Sequence, residues 1–215
     1  MKDNANNERE STNKGQINIL HINHYVGFPE TGMKFRPYNL AREWSKMDHE
    51  ISIIVADYSH LRKQNLEGKR GFVIMSVDGI KNQWIRTCRH EDNGVARPAT
   101  MAEFCCTQSL HVKMTARKFC PEVVIRSSTY PLDTYPAHRI AHHDHRGYVH
   151  KAHNLWPLTL TEIRSMSKTN PFVVLTGIAE RTAYAEMQAE GNHRKFGHEQ
   201  HIDNNYQPRR WIFSS

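Results

Sequence analysis

The chain has 215 residues and a mass of 25.1 kDa, a size that suits one α/β domain or two small ones. Only 38% of its residues are hydrophobic, and its formal charge is +7 with a pI near 9.3. That composition predicts a thin core, long solvated ends and an anionic partner: nucleic acid, an acidic membrane surface or a phosphorylated ligand. The mostly apolar run Ile51 to Ala56, interrupted only by Ser52, falls far below the roughly 20 residues of a membrane span, and no charged-then-apolar leader precedes it, so neither a spanning protein nor a secretory precursor is expected.

Residues 1–15 balance Lys2, Arg9 and Lys14 against Asp3, Glu8 and Glu10 and hold almost no apolar side chains, which predicts a disordered tail. Gln16 to Asn23 reads as a buried strand. The loop HYVGFPETGM follows, with Gly27, Pro29 and Gly32 as turn formers. From Arg36 the pattern turns helical, with Pro37 in the first turn and Leu40, Trp44 and Met47 on one face. The strand EISIIVADY comes next, and strand, loop, helix and strand together predict a right-handed βαβ unit with parallel strands.

Residues 57–70 read as a polar, basic connection, and FVIMSVDGIKNQWIR as two short strands around an Asp78-Gly79 turn. The stretch 96–119 predicts a helix from Met101, Phe104, Cys105 and Val112, with Gln108 interrupting its apolar stripe. EVVIRSS is a strand, 133–145 a helix with Pro136 near its start, YVHKA a strand and HNLWPL a turn-prone segment. A last helix over 171–189 places Phe172, Leu175, Ala179, Ala183 and Met187 on one face. The fold expected is Rossmann-like α/β, a mainly parallel sheet with helices on both faces and strands near 16–23, 50–56, 122–127 and 148–152.

The four cysteines, Cys88, Cys105, Cys106 and Cys120, show no C-x-x-C spacing, and no N-x-[ST] acceptor occurs; reduced thiols and a cytoplasmic location follow as expectations. G-x-G-x-x-G, G-x-x-x-x-G-K-[ST], H-E-x-x-H and G-x-S-x-G are absent, which removes the fingerprints of dinucleotide, P-loop, zincin and α/β-hydrolase chemistry. Asp133, Asp144 and Glu162 offer no paired-carboxylate arrangement. Lys and Arg are spread without a dense cluster or a nucleic-acid motif, so no specific nucleic-acid partner is expected.

Histidine is concentrated at His138, His142, His143, His145, His150 and His153. His138 and His142 have the i, i+4 spacing that can hold zinc, but no third ligand is fixed, and no metal site is expected. Ligands of open α/β sheets bind beyond the carboxyl ends of the strands. Two loops lie there. One carries Gly27 and Gly32 and leads into the helix N-terminus near Arg36, a place suited to phosphate; the other carries His153, Asn154, Trp156 and Pro157.

The segments HINHYVGFPETGMKFRPYNLAREWSKMDHEISIIVADYSHLR, VDGIK, PEVVIRSS and HNLWPLTLTEI, in this order, resemble the amino-terminal domain of glycosyltransferase family 4. Bacterial enzymes of surface-polysaccharide assembly, with FRPY-LAREW after the first strand and H-D-L-W-P-L after a later one, are the nearest in pattern. The resemblance spans about residues 16–190. It implies one half of a GT-B arrangement, in which this half mainly holds the acceptor and a second domain holds the nucleotide-sugar. It also implies retention of anomeric configuration and no D-x-D metal motif or other cofactor.

By the same resemblance His153 is the catalytic-site histidine near the transferred sugar, and Gly27, Gly32, Arg36 and Asn154 bind substrate, Asn154 standing where an aspartate is usual. The strand expected after the last helix is missing between Met187 and Lys195, and Lys195-Phe196 with Ile202 to Asn205 resembles the segment leading to the second domain. The division that follows is a tail at 1–15, a glycosyltransferase amino-terminal domain at 16–190 and linker at 191–215, with the donor-binding domain and its E-x-x-x-x-x-x-x-E carboxylates not represented. The expected partners are a nucleotide-sugar, a sugar or lipid-linked acceptor and an anionic membrane surface at the inner face. The alternative reading is a non-catalytic basic module that binds an anionic polymer or membrane.

Overall fold

The structure is a computed structural model that describes residues 15–32, 35–59, 62–65, 72–89, 96–128, 131–151 and 157–189, with backbone alone at 96–97, 131 and 183–189. Six strands form one sheet: β1 (Asn18–Ile22), β2 (Glu50–Ala56), β3 (Phe72–Val77), β4 (Ile80–Ile85), β5 (Val123–Arg126) and β6 (Gly147–His150). Their order is β3-β4-β2-β1-β5-β6. All neighbours are parallel except β3 and β4, a hairpin closed at Asp78-Gly79. The four strands expected to be parallel are so, each within two residues of its predicted ends.

The helices are α1 (Arg36–Lys46), α2 (Ala96–Leu110), α3 (Val112–Phe119), α4 (Thr134–His143) and α5 (Pro171–Ala189). Because β1 and β2 are buried on both faces, they read as unbroken apolar runs rather than alternating ones. The two faces separate cleanly. Leu20, Ile22, Ile54, Ala56, Ile85 and Val124 pack against Phe104, Val112, Phe119 and Ile140 from α2, α3 and α4. Ile19, Ile51, Ile53, Val55, Ile80 and Trp84 pack against Tyr38 and Ala41 of α1 and against Val26 and Phe28. A third cluster joins Tyr25, Met101, Leu160 and Val173 near the carboxyl ends of the strands.

Some expectations need correction. In α1 the inward residues are Pro37, Tyr38 and Ala41, with Trp44 half-buried beside them, while Met47 is 64% exposed, because the sheet is met by the face one position after the one the leucine marks. In α5 the buried stripe runs through Val173, Thr176 and Ala179 to Glu180, with Phe172 packed beside it, so of the expected face Ala179 and Phe172 are inward and Leu175 is exposed, while the side chains of Ala183 and Met187 lie outside the described residues. The span 96–119 is two helices, broken at His111. Gln108 does not interrupt the buried stripe of α2 but lies in it, 2% exposed. TLTEI, after the turn-prone segment, forms a short π-helical turn at Thr159–Ile163. Among the described residues no helix is long and apolar enough to cross a membrane.

Two turns show how local chemistry sets the path. Asp78 and Gly79 both have positive φ, 50° and 78°, the pair of values a type I′ hairpin turn requires. Tyr38 donates its hydroxyl hydrogen to the Asp78 carboxylate, tying this turn to α1 and raising the pKa of the phenol. At the end of α3 the left-handed cap position is held by Cys120, φ 41°, whose N–H bonds Ala116 O at 2.8 Å. A non-glycine residue in that conformation costs about 1–2 kcal/mol. Replacing the exposed Cys120 by glycine is therefore expected to raise stability by about 1 kcal/mol, read as a higher urea midpoint at unchanged slope; an unchanged or lower midpoint would contradict the cap assignment.

Candidate functional site

The chain passes from β1 to β2 on one side and returns to β5 on the other, which makes the gap between the carboxyl ends of β1 and β5 the topological switch point of the sheet. At that gap two loops are tied together by polar side chains. Asn23 donates through Nδ2 to Ser127 O at 2.6 Å and Ser127 Oγ at 3.0 Å, and its Oδ1 accepts from Tyr25 N at 2.9 Å. His21 Nε2 lies 2.5 Å from the same Ser127 hydroxyl. His24 N donates to Ser128 Oγ at 2.9 Å, while its ring meets Phe104 edge to face at 4.6 Å. His21, Asn23, His24, Ser127 and Ser128 are all buried.

A buried ion pair supports the β5 side. Arg126 Nε donates to Asp133 Oδ1 at 2.5 Å, both side chains being 3% exposed, and Arg126 Nη1 lies 3.3 Å from His150 Nε2. Burial raises the Asp133 carboxyl above its ordinary value, Arg126 pulling it back. The folded chain thus binds that proton at higher pH than the unfolded one, so this group's contribution to stability falls as pH rises through the interval between the two values.

The opposite wall is held by Arg62, which lies in the stretch expected to be a polar connection. It is instead 7% exposed. Its Nε donates to Val26 O at 2.9 Å and its Nη1 to Ala56 O at 2.7 Å and Asp57 O at 3.2 Å, with the guanidinium 5.1 Å from the Trp84 ring centre. Burial lowers its pKa to about 10. One arginine fork thus joins the loop after β1 to the end of β2. No signal in the local sequence marked it, since a lone arginine among polar neighbours reads as solvated.

The proposed site residues fall out unevenly. Gly27 is buried in the loop wall. Gly32, φ 73°, adopts the left-handed conformation that favours glycine, and a Cβ there would press on the Lys63 side chain, 3.3 Å from its Cγ. The turn from Phe28 to Gly32 closes on itself through Thr31 N and Gly32 N to Phe28 O. Arg36 is the exposed first residue of α1. His153 and Asn154 lie outside the described residues.

Arg36 acquires a companion that the sequence reading did not single out. Lys151, half-buried just past β6, has its pKa lowered first by burial and then by the charge of Arg36. Neither cation has an acidic partner among the described residues. The first turn of α1 has no acidic residue and no side-chain cap, so Arg36 stands at the positive end of a helix, the reverse of the usual preference. Two cations that repel one another, one of them at a helix N-terminus, with no anion beside them among the described residues, form an arrangement that a phosphate would relieve.

The histidines form no such set. His138 and His142 lie on α4 with their rings 4.5 Å apart, and His138 also meets Tyr148 edge to face at 5.5 Å. Among the described residues no group of three or more His, Cys, Asp or Glu side chains is placed to hold a metal ion. No protein-family model matches the chain, and no curated protein matches it.

The buried pair makes a sharp test. Arg126→Met leaves Asp133 uncompensated in the interior, and breaking such a pair costs about 3–5 kcal/mol. The double replacement Arg126→Met with Asp133→Leu is expected to recover most of that loss, because an apolar pair of similar volume replaces both charges. Chemical denaturation of the three proteins measures it; equal destabilisation of single and double variants would show that the pair does not act as a unit.

Proposed function

We propose that the chain is the amino-terminal, acceptor-side domain of a retaining glycosyltransferase of family 4, working in the cytoplasm at an anionic membrane surface. The donor is a nucleotide-sugar and the acceptor a sugar or lipid-linked saccharide. The observation that carries this reading is the cation pair Arg36 and Lys151, at the start of α1 and just past β6, which has no acidic partner among the described residues, beside the switch point where α/β sheets bind ligands. It favours a phosphorylated ligand at the place where the resemblance puts the donor phosphates.

In this reading the Gly27 to Gly32 loop shapes the approach to the phosphates, Arg36 and Lys151 neutralise them, and His153 and Asn154 address the sugar. His153 donates a hydrogen bond to the sugar or a phosphate oxygen as charge develops on the leaving group. No metal is invoked, since the cations and the helix terminus supply the positive charge. The nucleotide-sugar is held jointly with a donor-binding domain, and without that domain the reacting atoms are not brought together.

A fusion of this chain to a donor domain of the same family tests the reading. His153→Ala is expected to lower turnover about 10- to 150-fold, the value of roughly 1.5–3 kcal/mol for a hydrogen bond to a charged group. Transfer by residues 1–215 alone, or an unchanged rate in the fused His153→Ala protein, would refute the assignment. Binding to anionic vesicles should weaken steeply as salt rises, because exposed charges are screened beyond about 8 Å at physiological ionic strength. The basic-module alternative, which rests on the +7 charge, predicts the same vesicle binding with no transfer in the fusion.

A further inference from the structure

The last helix of the fold is apolar on two opposite faces. α5 carries no charge from Pro171 to Ala179, and its first charged residue, Glu180, is turned inward and buried. On the inner face Val173, Thr176 and Ala179 are buried, Val173 against Tyr25, Met101 and Leu160. The helical period sets the outer face: Pro171, Val174, Leu175, Ile178 and Thr182 follow one another at i, i+3, i+4, i+7 and i+11. All of them are exposed, Val174 by 39%, Leu175 by 38% and Ile178 by 53%. A helix that is apolar all round belongs in apolar surroundings; the outer half of α5 has none among the described residues.

The segment leading into α5 has the same character. The π-helical turn Thr159–Ile163 sends Leu160 inward to Val173 and leaves Ile163 78% exposed. The exposed cations Arg164 and Lys168 follow, and the one exposed carboxylate from 157 to 182 is that of Glu162. Aliphatic side chains flanked by arginine and lysine suit a lipid interface, where the apolar groups enter the boundary between headgroups and acyl chains and the cations meet lipid phosphates. Protein partners select a different surface, anchored by aromatic or arginine side chains seated in pockets. Here none of the exposed residues from 159 to 182 is aromatic, and the outer stripe of a helix is a convex ridge.

We propose that the outer face of α5, together with Ile163, Arg164 and Lys168, is the surface by which the chain docks on an anionic lipid bilayer. The inference rests on the membrane-associated reading above and adds to it the face and the mode of contact. α5 lies in the interface and does not cross it, since no described helix is long and apolar enough to span. The net charge of +7 draws the chain to an anionic surface. The aliphatic stripe then decides which side meets the lipid, and Arg164 and Lys168 complement its negative headgroups. Through Val173 the same helix packs on Tyr25, just beyond β1, so the docking helix belongs to the ligand-bearing end of the sheet.

Co-sedimentation of the 215-residue chain with vesicles of phosphatidylglycerol and phosphatidylcholine in equal parts, at physiological ionic strength, reads the docking without any sugar transfer. Leu175→Ser with Ile178→Ser is expected to weaken binding at least roughly tenfold, the value of one fully buried aliphatic side chain. Leu175→Phe with Ile178→Phe keeps the face apolar and should keep the binding. Arg164→Gln and Lys168→Gln should each weaken it about fivefold, the contribution of one cation near an anionic surface. Leu110→Ser, at a site 82% exposed at the end of α2, is the control and should bind as the parent does. Because the replaced side chains face solvent, the unfolding midpoints of these variants should match the parent's, which separates lost docking from lost folding. Vesicle binding that the serine pair leaves unchanged, or that Leu110→Ser weakens equally, would overturn the proposal and leave the glycosyltransferase reading standing. Binding lost in the serine pair while the fusion transfers no sugar would uphold the docking face and sink that reading instead. A species of about twice 25.1 kDa that the serine pair returns to monomer would give the face to a second copy and likewise overturn the proposal.

Discussion

A strand buried on both faces and paired on both sides cannot choose how its ladder ends, and β1 is such a strand. Its partners β2 and β5 leave on opposite sides, so the backbone beyond Ile22 emerges between two diverging loops whose polar groups must be satisfied away from water. Asn23 answers this constraint almost alone. Its N–H continues the ladder to Ile54 O at 3.0 Å, its amide reaches Ser127 and its carbonyl oxygen closes the turn at Tyr25. Ser127 and Ser128 complete the junction with His21 and His24.

The rest of the carboxyl-end surface follows from that junction. With the β1 loop held by Arg62 on one side and by the serines on the other, α1 starts where its N-terminus faces the strand ends, and Arg36 comes within electrostatic range of Lys151. These groups are not arranged for stability. A cation at the positive end of a helix beside a half-buried lysine costs free energy in the unliganded chain, and conflicts of this kind concentrate at functional sites.

The βαβ unit and the Asp78-Gly79 hairpin were legible because their signals are local: unbroken apolar runs, a proline in a first turn, two turn-forming residues between strands. Helix phase was less legible. Leu40 and Met47 suggested one face of α1, but Tyr38 is the residue that packs, since its ring fills the sheet surface beside Phe28 at a 5.7 Å ring separation and its hydroxyl reaches Asp78. Arg62 and Gln108 were invisible as buried groups because nothing in their neighbourhood states that tertiary partners exist. The site was legible only in part. Arg36 and the glycine loop stood out, yet Gly32 is accounted for by its positive φ and Lys63, while Lys151, more than a hundred residues from Arg36, joins it only through the sheet order.

The account turns on whether an anionic ligand is bound by Arg36 and Lys151. Titrating isotope-labelled chain with a nucleoside diphosphate and following backbone amide shifts by NMR tests this most directly. The account predicts saturable shifts confined to Gly27–Arg36 and the residues around Lys151, lost together in Arg36→Met and Lys151→Met. Shifts centred on the His138–His142 face of α4, or an unchanged response in both variants, would contradict it.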